Sequence, residues 1–221
     1  MYMSPYPKHS NAEWNGDNVA KWSEGVNLAR GMRVGVLGGS FDPPHLGHVH
    51  VSQEALKRFD LDRVLWLVSP GNPLKPTPPA SVERRIAAAH KLISHPRIQV
   101  SDFELRHKTR FTYETLHRLK TVWPDVTFVW LMGADNLFQF HRWENWRGIM
   151  NEVPVGVLAR PNLRIAARMS VTSRIYSGAR LSGKQARLLA QGPAPRWSFV
   201  NMPMMGVSSS QIRKTTDWNK S

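Results

Sequence analysis

An apolar run, Arg33-Val34-Gly35-Val36-Leu37, passes without a break into Gly38-Gly39-Ser40-Phe41-Asp42-Pro43-Pro44-His45-Leu46-Gly47-His48. Beyond it Leu46, Val49, Leu56 and Phe59 recur at helical spacing. A strand that enters a glycine turn and emerges as a helix constrains the rest of the chain, because the helix must pack back on the strand that precedes it. The unit then repeats. Residues 63–68 form a compact apolar run closed by Pro70 and Gly71, and the pattern predicts a helix over 82–94, a strand over 98–100, a helix over 113–122 and a strand over 126–132. A fifth strand over 153–158, a short one over 197–200 and a last helix from Ser209 complete the series. The stretch 162–191 is rich in Arg and Ala and helical in propensity, with interruptions at Gly178, Ser182 and Gly183.

Strands alternating with helices in this way predict an α/β fold of the Rossmann-like kind, a doubly wound parallel sheet with helices on both faces. Ligands in such sheets bind beyond the carboxyl ends of the strands. At 221 residues the chain accommodates one such domain. We expect it to span 32–221, with residues 1–31 as a loosely ordered tail, since Pro5, Pro7, Gly16 and Gly25 stand there among polar neighbours without a sustained period. Met32, where the first strand begins, is a candidate translation start.

The absence of cysteine excludes disulfides and thiolate metal sites. No apolar stretch approaches the roughly 20 residues that span a bilayer, and no signal-peptide core stands at the N-terminus, so a soluble cytoplasmic protein is expected, without a membrane partner. The formal net charge of +14 points to polyanionic partners. Its arginines are scattered rather than gathered in a basic tail, which disfavours nucleic acid as the partner. A homo-oligomer is compatible with the composition.

The turn after the first strand is suited to phosphate. Gly38 and Gly39 let the backbone approach an anion, a helix N-terminus offers unpaired N–H groups beside Ser40 and Phe41, and His45 and His48 lie on one side of the first helical turn. The same residues admit two other readings, a surface histidine pair or, with His50 and Asp42, a metal cluster. The run from Gly39 to His48 resembles the Gly-x-Phe-Asp-Pro and His-x-Gly-His signature of the nucleotidyltransferase superfamily, in which the two histidines meet the triphosphate and the transition state. Within it the chain is most similar to the nicotinate-nucleotide adenylyltransferases of bacterial type.

Further motifs carry that resemblance. Ser208-Ser209-Ser210-Gln211-Ile212-Arg213 resembles the family's Ser-(Ser/Ala)-Thr-x-x-Arg element, with Ser210 in place of Thr, in which a helix start and an arginine hold the ATP phosphates. Read alone, these serines are helix caps. Gly133-Ala134-Asp135 resembles the Gly-x-Asp placed against the nucleotide, and Trp143 the tryptophan that stacks on the pyridine ring. The aromatic residue often found next to that tryptophan is replaced by Glu144, so either Trp146 substitutes or the ring is held from one face. Asn72-Pro73-Leu74-Lys75 and Phe111-Thr112-Tyr113-Glu114-Thr115-Leu116 resemble the two segments facing the mononucleotide, where Leu74 and Phe111 each remove a polar contact. Arg160 matches an arginine near the adenosine.

The resemblance implies adenylyl transfer from ATP to nicotinic acid mononucleotide in NAD biosynthesis. His45, His48, Lys75 and Arg213 would carry catalysis. Gly38, Gly39, Ser40, Phe41, Gly133, Asp135, Arg160, Ser208, Ser209 and Ser210 would bind ATP, and Asn72, Thr112 and Trp143 the mononucleotide. Mg²⁺ would arrive on the ATP phosphates, with no metal ligand from the protein. Other acceptors, nicotinamide mononucleotide or phosphopantetheine, and a non-catalytic nucleotide- or RNA-binding module stay open at this point.

Overall fold

The computed structural model describes residues 26–71, 78–159, 169–203, 206, 208–216 and 218. Among them β1 (Arg33–Gly39), β2 (Arg63–Val68), β3 (Ile98–Ser101), β4 (Thr127–Gly133), β5 (Val155–Ala159), β6 (Arg180–Leu181) and β7 (Trp197–Asn201) form one sheet in the order β3-β2-β1-β4-β5-β7-β6. All of its pairings are parallel. The helices are α1 (Leu46–Arg58), α2 (Val82–Leu92), α3 (Phe103–His107), α4 (Thr112–Val122), α5 (Ala134–Gln139), α6 (Trp146–Glu152), α7 (Val171–Ile175) and α8 (Ser209–Thr215).

The two faces of the sheet follow from the alternation of side chains along each strand. Val34, Val36, Phe128, Trp130, Val155 and Val157 point to one core, which Leu116 and Leu119 of α4 and Ile149 of α6 close. Leu37, Val64, Trp66, Val129 and Leu131 point to the other, closed by Ala55 and Leu56 of α1 and Ala89 of α2. Burial on both sides explains why the strands read as continuous apolar runs. The expected doubly wound α/β fold is the observed one. Helices α3, α5 and α6 are too short to show a 3.6-residue period and were not expected.

Residues 171–191 are less regular than their propensity suggests. After α7 come a 3₁₀ turn at Ser177–Ala179, the two-residue β6 and a 3₁₀ segment at Gly183–Gln191. Gly178, Ser182 and Gly183 break the helix where the chain must return to pair with β7, and Ala186, Leu189 and Ala190 are buried on the way. At the other end, packing reaches upstream of the expected boundary at Met32. Val26 is buried in the core, Leu28 packs on the same cluster, and Gly31 N–H donates to the Asp125 carbonyl at 2.8 Å. Two isolated apolar residues carry no period, so that stretch read as tail. Residues 1–25 lie outside the described residues.

The connection from β1 leads to β2 on one side, whereas β4 pairs with β1 on the other. Their carboxyl ends stand side by side where the strand order reverses, the crevice in which such sheets bind ligands. No helix among the described residues is long and apolar enough to cross a membrane.

Candidate active site

The turn after β1 is held by its own aromatic ring. Phe41 takes a positive φ of 47°, and its buried ring stacks on Trp66 at 4.7 Å and lies 4.8 Å from the His48 ring. A left-handed non-glycine residue costs on the order of 1–3 kcal/mol, which burial of a phenyl ring offsets. Gly38 is also required by packing, beside the expected anion approach. A Cβ there would stand 2.5 Å from Cη2 of Trp130, so the glycine makes room for the indole on the neighbouring strand. At Gly39 a Cβ would meet the Phe41 ring at an ordinary 3.4 Å.

His45 is the N-cap of α1 and is buried. Its ring stacks on that of His48 with centroids 3.8 Å apart. The His45 backbone N–H donates to His48 Nδ1 at 3.2 Å, so the neutral His48 ring carries its hydrogen on Nε2. The His48 carbonyl accepts from Ser52 Oγ at 2.9 Å, which in turn accepts from Trp66 Nε1 at 2.7 Å. The start of α1 is thereby tied to β2 next door, and the His48 ring meets Trp66 edge-on at 5.7 Å. His50, one element of the alternative metal reading, meets the Pro203 carbonyl through Nε2 at 3.1 Å.

Helix α8 docks on this turn across some 170 residues of sequence. Ser209 Oγ donates to the Pro43 carbonyl at 2.9 Å. Arg213 donates through Nη1 to the Asp42 carbonyl, stands 3.7 Å from Asp42 Oδ2, and donates through Nη2 to Ser210 Oγ at 3.3 Å. Ser208 is a plain N-cap, accepting from the Gln211 N–H at 3.3 Å. Asp42 is the hub of the assembly, for Oδ1 also accepts from Trp218 Nε1 at 2.7 Å and from the Ala80 N–H at 3.3 Å. The Arg84 guanidinium covers the Trp218 ring at 4.3 Å. The histidine pair and Arg213 therefore sit at the two ends of the short stretch 42–45.

Beyond β4, Gly133 is the N-cap of α5 and Asp135 lies in its first turn, exposed, with Oδ1 folded back over Gly133. Trp143 is half-buried and meets Trp130 at 6.3 Å and Phe140 at 5.2 Å, both edge-on. Trp146 instead packs on Phe140 and Tyr176, so these contacts do not bring it to Trp143 as a second ring wall. Thr112 opens α4, whose start is closed by Glu114 Oε2 accepting from the N–H groups of Arg110 and Phe111 at 3.1 and 3.2 Å. Asn72, Lys75 and Arg160 lie outside the described residues.

Three features escaped the sequence reading. The first is the pairing of Asp42 with Trp218: Asp42 was read as part of the signature and as a metal candidate, and Trp218 not at all, since a contact spanning 176 positions leaves no local pattern. Arg85 lies on the buried stripe Val82, Arg85, Ala89 of α2, and an arginine in an apolar stripe was a usable signal. Glu104 in α3 is the third: burial pushes its carboxyl up to about 7 despite a hydrogen bond from Thr115 Oγ1 at 3.2 Å.

A crevice between β1 and β4, with a fixed imidazole pair on one strand exit and a guanidinium delivered from the C-terminal helix, places the protein among the nucleotide-binding α/β proteins. Comparison with known families narrows this. Residues 36–215 match the family described as cytidylyltransferase-like. A relative in Ruegeria sp. strain TM1040, named "Probable nicotinate-nucleotide adenylyltransferase", is 60% identical over 187 residues, covering 85% of this chain and 99% of its own. One of the same name in Mesorhizobium japonicum is 43% identical over 186 residues, covering 84% and 95%. The chain belongs to the cytidylyltransferase-like family, in its nicotinate-nucleotide adenylyltransferase branch. The structure of Plasmodium falciparum nicotinic acid mononucleotide adenylyltransferase complexed with NaAD shares the fold, with a TM-score of 0.62 at 19% identity over 83% of each chain.

Proposed function

We infer that this protein transfers the adenylyl group of ATP to nicotinic acid mononucleotide, releasing pyrophosphate and forming nicotinic acid adenine dinucleotide. The observation that carries the reading is the docking of Arg213 and Ser209 on residues 42 and 43, beside the stacked His45 and His48. This gathers cationic and N–H donors from both ends of the sequence around one place for a phosphate chain.

The chemistry asks little of the protein beyond placement and charge. A phosphate monoester has its second pKa near 6, so the attacking oxygen of the mononucleotide is already ionised at neutral pH. One bond forms from that oxygen to the α-phosphorus as the bond to the bridging β-oxygen breaks, and no proton is exchanged. His48, with its hydrogen on Nε2, donates to the α-phosphoryl oxygens, and His45 and Arg213 meet the charge that grows on the leaving pyrophosphate. Ser210 and the exit of β1 hold the same chain, while Asp135 and, on the strength of the resemblance, Arg160 serve the adenosine. Trp143, braced edge-on by two aromatic rings, offers one face to the pyridine; Asn72, Lys75 and Thr112 take the rest of the mononucleotide. Among the described residues no group of three or more His, Asp or Glu side chains is placed to hold a metal, and the site's donors suit anions. Magnesium would enter as part of the ATP complex, where it neutralises phosphate charge. Both substrates are cytoplasmic metabolites, which gives the location in which we expect the protein to work.

The test is direct. Purified protein incubated with ATP, Mg²⁺ and, in parallel, nicotinic acid mononucleotide, nicotinamide mononucleotide or phosphopantetheine should release pyrophosphate with dinucleotide in equal amounts, fastest with the nicotinic acid form. Absence of turnover with it, or a tenfold preference for another acceptor, would overturn the assignment.

A further inference from the structure

Arg85 is completely buried, yet it makes no ion pair among the described residues. Its guanidinium is spent on backbone carbonyls. Nε donates to Ala80 at 2.7 Å, Nη1 to Ser40 at 2.6 Å and to Ser69 at 2.7 Å, and Nη2 to Pro70 at 3.4 Å. Those acceptors belong to three segments: the turn leaving β1, the turn leaving β2, and the approach to α2. Four of the five N–H donors of the fork are used, a pattern that only a planar guanidinium satisfies. Burial pulls its pKa down from the usual arginine range, opposed by the charges of Asp42 and Glu83.

The same two turns are tied by backbone as well. Ser69 N–H donates to the Gly39 carbonyl at 3.0 Å, and the Ala80 N–H donates to Asp42 Oδ1. Arg85 thus closes a loop of contacts in which the phosphate turn, the β2 exit and the Asp42 hub are fixed to one another. A side chain wholly out of solvent and committed to carbonyls has no reach to a substrate. Placing a charge there without a carboxylate in contact is costly, and core packing alone would be served by an apolar residue.

We propose that Arg85 is a positioning residue for adenylyl transfer, the buried fork that sets the register between the ATP-phosphate turn after β1 and the turn after β2 that leads toward the acceptor. The proposal rests on the function inferred above. It separates binding from chemistry: each half of the site keeps every group that touches its substrate, while the distance between the halves is released. Misplacement of reacting atoms by about 1 Å costs on the order of 100-fold in rate.

The experiment uses the full chain as wild type, Arg85→Lys and Arg85→Ala, with folded fraction measured by thermal unfolding and ATP affinity by calorimetry. Wild-type turnover in the same assay reports on the reaction itself; the variants report on Arg85. We expect Arg85→Lys to lower kcat per folded molecule by about 30- to 100-fold, with KM for each substrate within threefold of wild type. Added guanidinium ion should restore about tenfold of the rate lost by Arg85→Ala and none in Arg85→Lys. A kcat within threefold of wild type in either folded variant would overturn the proposal. So would a rise in KM for ATP alone at unchanged kcat, or the failure of both variants to fold with no recovery on adding guanidinium, which would make Arg85 a stability residue.

Discussion

At the scale of single residues, the site combines groups chosen for different reasons that look alike in sequence. Three consecutive serines open α8, and only one is simply a cap: Ser208 closes the helix, Ser209 fastens it to Pro43, and Ser210 meets Arg213. Two consecutive glycines end β1, and at the first a Cβ would run into Trp130 behind it, a packing demand that the sequence does not reveal. Trp143 is the residue we propose for recognition of the pyridine. Its ring is fixed by Trp130 and Phe140, so its outer face is pre-set for a flat heterocycle at little cost in rotamer entropy. Trp143→Ala should weaken the mononucleotide by about 10-fold, in line with roughly 1–3 kcal/mol per stacked base, and leave ATP affinity within twofold. Calorimetric titration of each substrate separately checks this, and equal losses for both would remove Trp143 from the pyridine.

At the scale of elements, helix α3 carries two groups with opposite titration behaviour. Glu104 is pushed up to about 7 by burial, although Thr115 donates to it. His107 is pushed down to about 4, first by burial and then by Arg118 and Arg106, with Asp102 opposing. The unfolded chain gives up the Glu104 proton near its ordinary value, so this group's contribution to stability falls as pH rises from about 4.5 to about 7. For His107 the unfolded chain takes up the proton first, so stability rises as pH rises from about 4 to about 6.5. The two slopes largely cancel over their shared window. Glu104→Gln should unmask the histidine slope and raise stability above pH 7 by up to about 3 kcal/mol. His107→Phe should leave a stability that declines from pH 4.5 to 7. Urea unfolding at a series of pH values measures both, and unchanged pH profiles in the two variants would refute the account.

Which elements were legible in the sequence follows the same physics. The unit from β1 through α1 was plain, because a strand pattern, a glycine turn and a helical period adjoin within about thirty residues. Six of the seven strands fell within two residues of their observed ends, since burial on both faces writes them as unbroken apolar runs, while the two-residue β6 was missed. Helices of five to seven residues and the 3₁₀ segments after α7 left no period to read. The histidine pair, Arg213 and Trp143 could be named from motifs, but not the contacts that surround them. Asp42 meets Ala80, Arg213 and Trp218 through bonds that span from 38 to 176 positions.

At the scale of the whole molecule, the sheet acts as a frame on which the turn after β1 and helix α8, some 170 residues apart in sequence, meet. Parallel order with a reversal between β1 and β4 opens the crevice, and α8, which follows β7 in the chain, docks on residues 42 and 43 beside it. The net charge of +14 gives such a crevice a favourable background for two polyanions that must meet despite repelling each other. The central claim is that His48 and Arg213, remote in sequence, act on one triphosphate. A double-mutant cycle on kcat measures this coupling. His48→Ala should lower kcat by about 10²–10³, as loss of a transition-state donor does, and Arg213→Ala by about 10- to 100-fold. If they share one transition state, the double variant will fall short of the product of the single losses by at least tenfold, a coupling of about 1.4 kcal/mol. Losses that multiply in full would mean that the two groups serve separate events, and the site as described would not exist.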